Sequence, residues 1–214
     1  MSKADREYRT MTVRTAERAD DTDQRMIVEG YASTFNDPYL LYRDRDGWEL
    51  WEQIDAAAFD NCDMTDVIMQ YDHEGRVFAR IRNNTLTVAP DEKGLFITAD
   101  LSGTEIGRGL YEEIAGGYTD RMSFGFTVAK DKREETTDEN GKTVVLRTVL
   151  AVGKLYDVSA VSIPANPSTD LYSARGIDGV IDAVKAERLK ALELATARRR
   201  VLVKAKAKAI GGSY

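Results

Sequence analysis

This 214-residue chain is poor in the side chains that most often announce a chemistry. It has one cysteine, Cys62, and one histidine, His73. A lone thiol cannot close an intramolecular disulfide, so a reducing compartment is expected. One cysteine and one histidine cannot furnish the usual structural zinc set, and no metal or other cofactor is expected. Only 4 prolines stand against 16 glycines. That excludes a proline-rich disordered chain and suits strands joined by glycine turns. No run approaches the ~18 apolar residues of a membrane span. Residues 1–14 are polar and charged, without the apolar centre of a signal peptide. Gly103, Gly107 and Gly109 do not make a phosphate loop, since no glycine-rich turn between strand and helix precedes a lysine. The net charge of −6 argues against specific nucleic-acid binding. A soluble, intracellular protein is expected.

What is present reads as β-rich. Hydrophobic residues make up 43% of the chain, enough for a real core. Strands are expected over 26–32, 48–54, 66–71 and 77–81. Residues 85–88 and 95–101 alternate around the turn Asp91-Glu92-Lys93-Gly94, the clearest hairpin. Ser102-Gly103-Thr104-Glu105 fits a capping box, and Ile106, Leu110 and Ile114 give the following helix one apolar stripe. Strands are expected again over 122–128, 143–150 and 154–163, with a charged loop over 131–142 and with Pro164 and Pro167 ending the sheet. Residues 178–209, rich in Ala, Lys, Arg, Glu and Leu, should be helical. The implied organisation is a flexible segment over 1–19, a core domain over 20–175 and a basic helical tail over 176–214. Glu49, Glu52, Asp55, Asp60, Asp63 and Asp66 read as a solvated acidic surface.

Three residues are candidates for chemistry. His73, in Tyr71-Asp72-His73-Glu74-Gly75, follows a buried-looking strand and precedes a glycine. Its ring titrates near neutrality, which suits a general base, although a surface or structural histidine fits the same local pattern. Ser123 lies in Arg121-Met122-Ser123-Phe124-Gly125-Phe126, where the bulky residues take one strand face and leave the serine face uncrowded. A plain strand serine is the alternative. Asp157 alternates onto the face of Leu155, Val161 and Ile163, where a carboxylate is costly unless paired. A histidine ring or backbone amides could pair it. Cys62 is a poor rival nucleophile, because Asp63 beside it disfavours a thiolate.

The segments Glu29-Gly30-Tyr31-Ala32-Ser33-Thr34-Phe35, Tyr71-Asp72-His73-Glu74, Arg121-Met122-Ser123-Phe124-Gly125-Phe126 and Leu155-Tyr156-Asp157-Val158-Ser159-Ala160-Val161-Ser162-Ile163-Pro164-Ala165-Asn166-Pro167 occur in this order. As a set they resemble the prohead (head maturation) proteases of tailed bacteriophages, over about residues 25–175. The resemblance implies an α+β protein with a β-barrel core like that of herpesvirus assembly proteases, flanking helices, and a catalytic triad of Ser123, His73 and Asp157. Herpesvirus enzymes place a second histidine third; this chain has none. It implies a serine endopeptidase acting inside the procapsid, in the host cytoplasm, on scaffold or the scaffolding segment of the major capsid protein, and on itself. Homodimerisation follows by the same analogy. Backbone amides are the default oxyanion donors, with Arg121 and Arg147 as the candidate arginines beside them. The tail carries Arg198, Arg199, Arg200, Lys204, Lys206 and Lys208. It suits docking to acidic scaffold or capsid surfaces, and it frames the alternative: a non-catalytic assembly factor on a protease-like fold.

Overall fold

The computed structural model describes residues 6–16, 25–45, 47–161 and 178–210. The chain divides into two units, Met1–Gly176 and Ile177–Tyr214. The first is a mixed sheet of ten strands carrying one α-helix: β1 Glu7–Thr15, β2 Ile27–Thr34, β3 Tyr39–Arg43, β4 Glu49–Ile54, β5 Ile68–Tyr71, β6 Glu74–Arg80, β7 Leu86–Pro90, β8 Gly94–Asp100, α1 Glu105–Ala115, β9 Arg121–Thr137 and β10 Thr143–Val161. The second is one helix, α2 Asp178–Ile210. On it Leu189, Leu192, Leu194, Val201, Leu202 and Val203 are exposed, as are Arg198, Arg199, Arg200 and Lys204.

The strands run in the order β3-β4-β10-β9-β1-β2-β8-β7, with β5 pairing β10 and β6. The sheet is not closed into the expected barrel: β3 and β7 end the path without pairing each other. A bridge between Phe35 and Ile54 ties its two arms. The 19-residue β10 pairs with β9 along one edge and divides the other between β4, along its first part, and β5, along its last.

The core face follows from alternation. Met122, Phe124 and Phe126 of β9 pack with Met69, Leu95, Ile97, Leu155, Val158 and Ala160, and Phe124 stacks on Phe126 with ring centroids 4.7 Å apart. Helix α1 buries Leu110 and Ile114. Its N-cap is Thr104, which accepts from the Gly107 N–H at 3.0 Å. Ser102 of the expected capping box instead donates to Asp100 and receives no capping role. The charged loop expected over 131–142 is mostly ladder, because β9 and β10 stay paired out to Thr137 and Thr143. The Pro164 to Pro167 stretch lies outside the described residues.

Two polar segments depart from expectation for one reason. Residues 7–15, expected within a flexible lead, form β1, which is held between β9 and β2. Glu49 and Glu52, read as solvated, are 6% and 0% exposed. The inward charges of β1 meet those of β4 and β10. Arg9 Nε donates to Glu52 Oε1 at 2.5 Å and Arg9 Nη2 to Glu7 Oε2 at 2.6 Å. Arg147 donates to Glu7, Glu52 and Asp131, and the Tyr39 hydroxyl to Glu52 at 2.6 Å. Polar patterning therefore hid an interior strand. Burial alone would raise the Glu7 carboxyl, but the Arg147 hydrogen bond and the charges of Arg9 and Arg147 outweigh it and hold it lowered. Other acids of the series sit in outer ion pairs, Asp63 with Lys154 and Asp66 with Arg80.

Removing one member of this network strands the others. Arg9→Leu is expected to cost about 3–5 kcal/mol, the usual penalty for unpairing buried charge, read as a lower midpoint in urea unfolding. Glu49 gives a pH test. Burial opposes its ionisation, yet hydrogen bonds from Lys142, Trp51 and Arg43 bring its carboxyl from 4.5 to about 2. Because the folded value is the lower one, its contribution is full above pH 4.5 and is lost as pH falls toward 2. Thermal midpoints measured across that window should fall less steeply in Glu49→Gln than in the wild type.

Candidate active site

The three candidate residues come from two strands and one turn. Ser123 on β9 pairs with Ser159 on β10, and Gly125 pairs with Asp157. On the far side of β10, Ile68 and Gln70 of β5 stand opposite Asp157 and Ser159. Residues paired across a ladder share a face. Ser123, Gly125, Asp157 and Ser159 therefore form one patch on the face opposite Phe124 and Phe126.

Asp157 reaches that patch by a route strict alternation does not give. Leu155 pairs with Phe126, yet Asp157 pairs with Gly125, so two positions of β10 face one step of β9. This bulge sends Leu155 into the core with Phe126 and turns Asp157 to the opposite face. The expected grouping of Asp157 with Leu155 fails for this reason. Asp157 is 3% exposed, so its charge needs partners.

The partners are specific. His73 Nδ1 bonds Asp157 Oδ1, and Ser159 Oγ donates to the same oxygen at 2.8 Å. An ionised carboxylate only accepts, so Nδ1 is the donor in this pair, and in a neutral ring the lone pair is then on Nε2. The histidine rides a two-residue turn between β5 and β6, closed by the Tyr71–Glu74 pair. Asp72 and His73 both have positive φ, 48° and 61°, as a type I′ hairpin requires. Two bonds fix the turn over the sheet: Asp72 N–H to the Ala160 carbonyl at 2.9 Å and Gln70 Nε2 to the Gly75 carbonyl at 3.3 Å.

The structure thus joins His73 to Asp157 and places Ser123 on their face. No hydrogen bond links Ser123 to His73; catalytic contacts are often long before substrate binds. Ser123 is 3% exposed. Ser159 and Tyr8 also belong to this site, and sequence reading passed over both. The Tyr8 ring lies 4.3 Å from the His73 ring, centroid to centroid. Only the alternation of β1, masked by its charges, could have signalled Tyr8.

Neither arginine considered for an oxyanion site is equivalent to the other. Arg147 is 2% exposed and fully engaged with Glu7, Glu52 and Asp131 on the interior side, so it is removed from that role. Arg121 stands two residues before Ser123 on the same face, about 6.7 Å along the strand. Its Nε is buried without a hydrogen bond, 3.7 Å from Asp120. Cys62 is no nucleophile: burial, with Asp63 beside it, pushes its thiol up to about 11. Among the described residues no cluster of metal-ligating side chains occurs, and no helix is long and apolar enough to cross a membrane.

Comparison with known families decides the wider identity. The model of the caudovirus prohead serine proteases matches residues 11–182. The chain belongs to this family. Neither the curated proteins nor the solved structures give a match. Membership makes the chain a serine peptidase of the phage prohead group, and the matched span contains His73, Ser123, Asp157 and Ser159. Tyr8 lies outside it.

The patch leaves no room for a side chain at position 125. A Cβ there would stand 2.6 Å from Asp157 Oδ2 and 2.7 Å from Tyr8 Cε1. Gly125→Ala in this prohead protease is expected to displace the carboxylate or the ring and to lower peptidase activity about 100-fold. A circular-dichroism spectrum matching the wild type would show that the loss is local.

Proposed function

We propose that the chain is the maturation protease of a phage head, working through Ser123 as nucleophile, His73 as base and Asp157 as orienting acid. The observation that carries this reading is the His73–Asp157 bond on the sheet face that also bears Ser123. With Nδ1 committed to Asp157, Nε2 is the nitrogen left to take the Ser123 proton. The serine oxygen then adds to a peptide carbonyl, forming a tetrahedral oxyanion. Collapse expels the amine, which takes the proton from His73 Nε2, and leaves an ester on Ser123. A water molecule, deprotonated by His73, adds to that ester and frees the acid. Ser159 supports the cycle by sharing Asp157 Oδ1. Arg121 is a cation on this face available to a developing oxyanion, alongside backbone amides.

The substrates in this reading are scaffold, or the scaffolding segment of the major capsid protein, together with the protease's own chain. Confinement in the procapsid fits such activity, because it limits cleavage to packaged proteins. The exposed basic residues of α2 suit attachment to acidic head proteins before closure.

That same helix favours the second reading, a non-catalytic assembly factor acting through its tail. Head assembly with variant proteases separates the two. Ser123→Ala and His73→Ala should each reduce processing of capsid protein and self-trimming by about 10⁴-fold or more, read by gel and intact mass. Normal mature heads with Ser123→Ala, but not after deletion of 177–214, would instead establish the assembly factor.

A further inference from the structure

We infer that Tyr8 is a positioning residue that holds the His73 ring for proton transfer; the inference rests on the triad proposed above. Asp157 secures the imidazole at one edge only, through Nδ1. A ring held by a single in-plane bond can still tilt about it, which swings Nε2 across the face where Ser123 lies. The Tyr8 ring closes that freedom. Its centroid lies 4.3 Å from that of His73, with the planes inclined at 60°.

Tyr8 is itself fixed from three sides. On β1 its neighbours Glu7 and Arg9 point the other way, into the buried charge network, so the strand is gripped immediately before and after Tyr8. Across the ladder Tyr8 faces Gly125. The missing side chain there gives the ring its space, since a Cβ would come within 2.7 Å of Tyr8 Cε1. The backbone carbonyl of Tyr8 also accepts from Arg9 Nη1 at 2.8 Å. A surface tyrosine would need none of this. The contact has an electronic side as well: when His73 takes the serine proton it becomes a cation, and an aromatic ring beside it favours that charged form. Tyr8 thus restrains the base before transfer and favours its charge afterwards.

The test uses the full chain and a fluorophosphonate reporter, which phosphonylates an activated serine without need of the natural substrate. Tyr8→Leu and Tyr8→Met keep bulk without the ring; Tyr8→Phe keeps the ring without the hydroxyl. The maximal labelling rate should fall about 10–100-fold in the first two, with half-saturation unchanged within about twofold, and Tyr8→Phe should restore most of the rate. His73 is the only histidine, so its ring C–H signals are readable without assignment. They should carry a ring-current shift in the wild type and Tyr8→Phe that disappears in Tyr8→Leu and Tyr8→Met. Ser123-dependent labelling that is indifferent to Tyr8→Leu and Tyr8→Met, or equal losses in all three variants, overturns the role of Tyr8 alone. Labelling that is absent, or that persists in Ser123→Ala, overturns the triad and this inference with it.

Discussion

The functional face depends on one irregularity, the bulge that separates Leu155 from Asp157 in their pairing with β9. Without it, a regular ladder would put both residues on the same side. Either a carboxylate would lie among Phe124, Phe126 and Val158, or Leu155 would leave the core for the site. An unpaired carboxylate in that core would cost several kcal/mol, and withdrawing a leucine about 2–5 kcal/mol. The bulge avoids both. It lets one strand keep Leu155, Val158 and Ala160 in the apolar core while Asp157 and Ser159 take the polar face. His73, Ser159 and Gly125 then have a fixed carboxylate to converge on.

A second constraint acts through the sheet from the opposite side. Glu7, Arg9, Glu52 and Arg147 bury charge where a protease of this size could have used aliphatic residues. Buried ion pairs contribute little net stability compared with well-packed apolar groups. They do impose register. A one-residue slip of β1 would bring Glu7 and Arg9 to the site face and Tyr8 into the interior, leaving Glu52 without Arg9 and Arg147 without Glu7. The network therefore selects the alignment that puts Tyr8 beside His73 and opposite Gly125. Specificity of register accounts for the charges better than stability does.

The same features explain what was legible in the sequence. The β7–β8 hairpin, α1 and the core stripe of β9 follow patterns of period 2 or 3.6, and the helix-forming composition of 178–209 announced α2. His73, Ser123 and Asp157 could be picked out as a set of residue types in a familiar order, and the structure brings His73 and Asp157 into contact. The route to that contact was not legible. Alternation assigned Asp157 to the face of Leu155, since a bulge has no periodic signature and Tyr156 looks like any strand residue. β1 was missed because Glu7, Arg9 and Arg14 resemble a solvated lead, and only a partner elsewhere in the chain, Glu52 or Arg147, makes two of them interior. The closed barrel also failed. Closure is a property of the two outermost strands, and neither β3 nor β7 carries a local signal for its missing partner.

The turn at His73 shows local preference and chemistry in conflict. A two-residue hairpin with two positive φ values is easiest with glycine or asparagine. Histidine in the left-handed region costs about 1–2 kcal/mol, and Asp72 adds a similar amount. Relaxed turn residues would shorten neither the strands nor their ladder, so strand pairing alone does not demand this sequence. The ring does. From the second turn position a side chain projects back over β10, where Asp157 and Ser159 lie, and the bonds from Asp72 N–H to Ala160 and from Gln70 to Gly75 hold the turn in that pose. The strain is offset by the His73–Asp157 bond and the Tyr8 contact, both of which exist only when the turn is closed. Removing the ring should therefore leave the turn strained without the contacts that offset it, because the cost lies in a Cβ at positive φ and not in the ring itself.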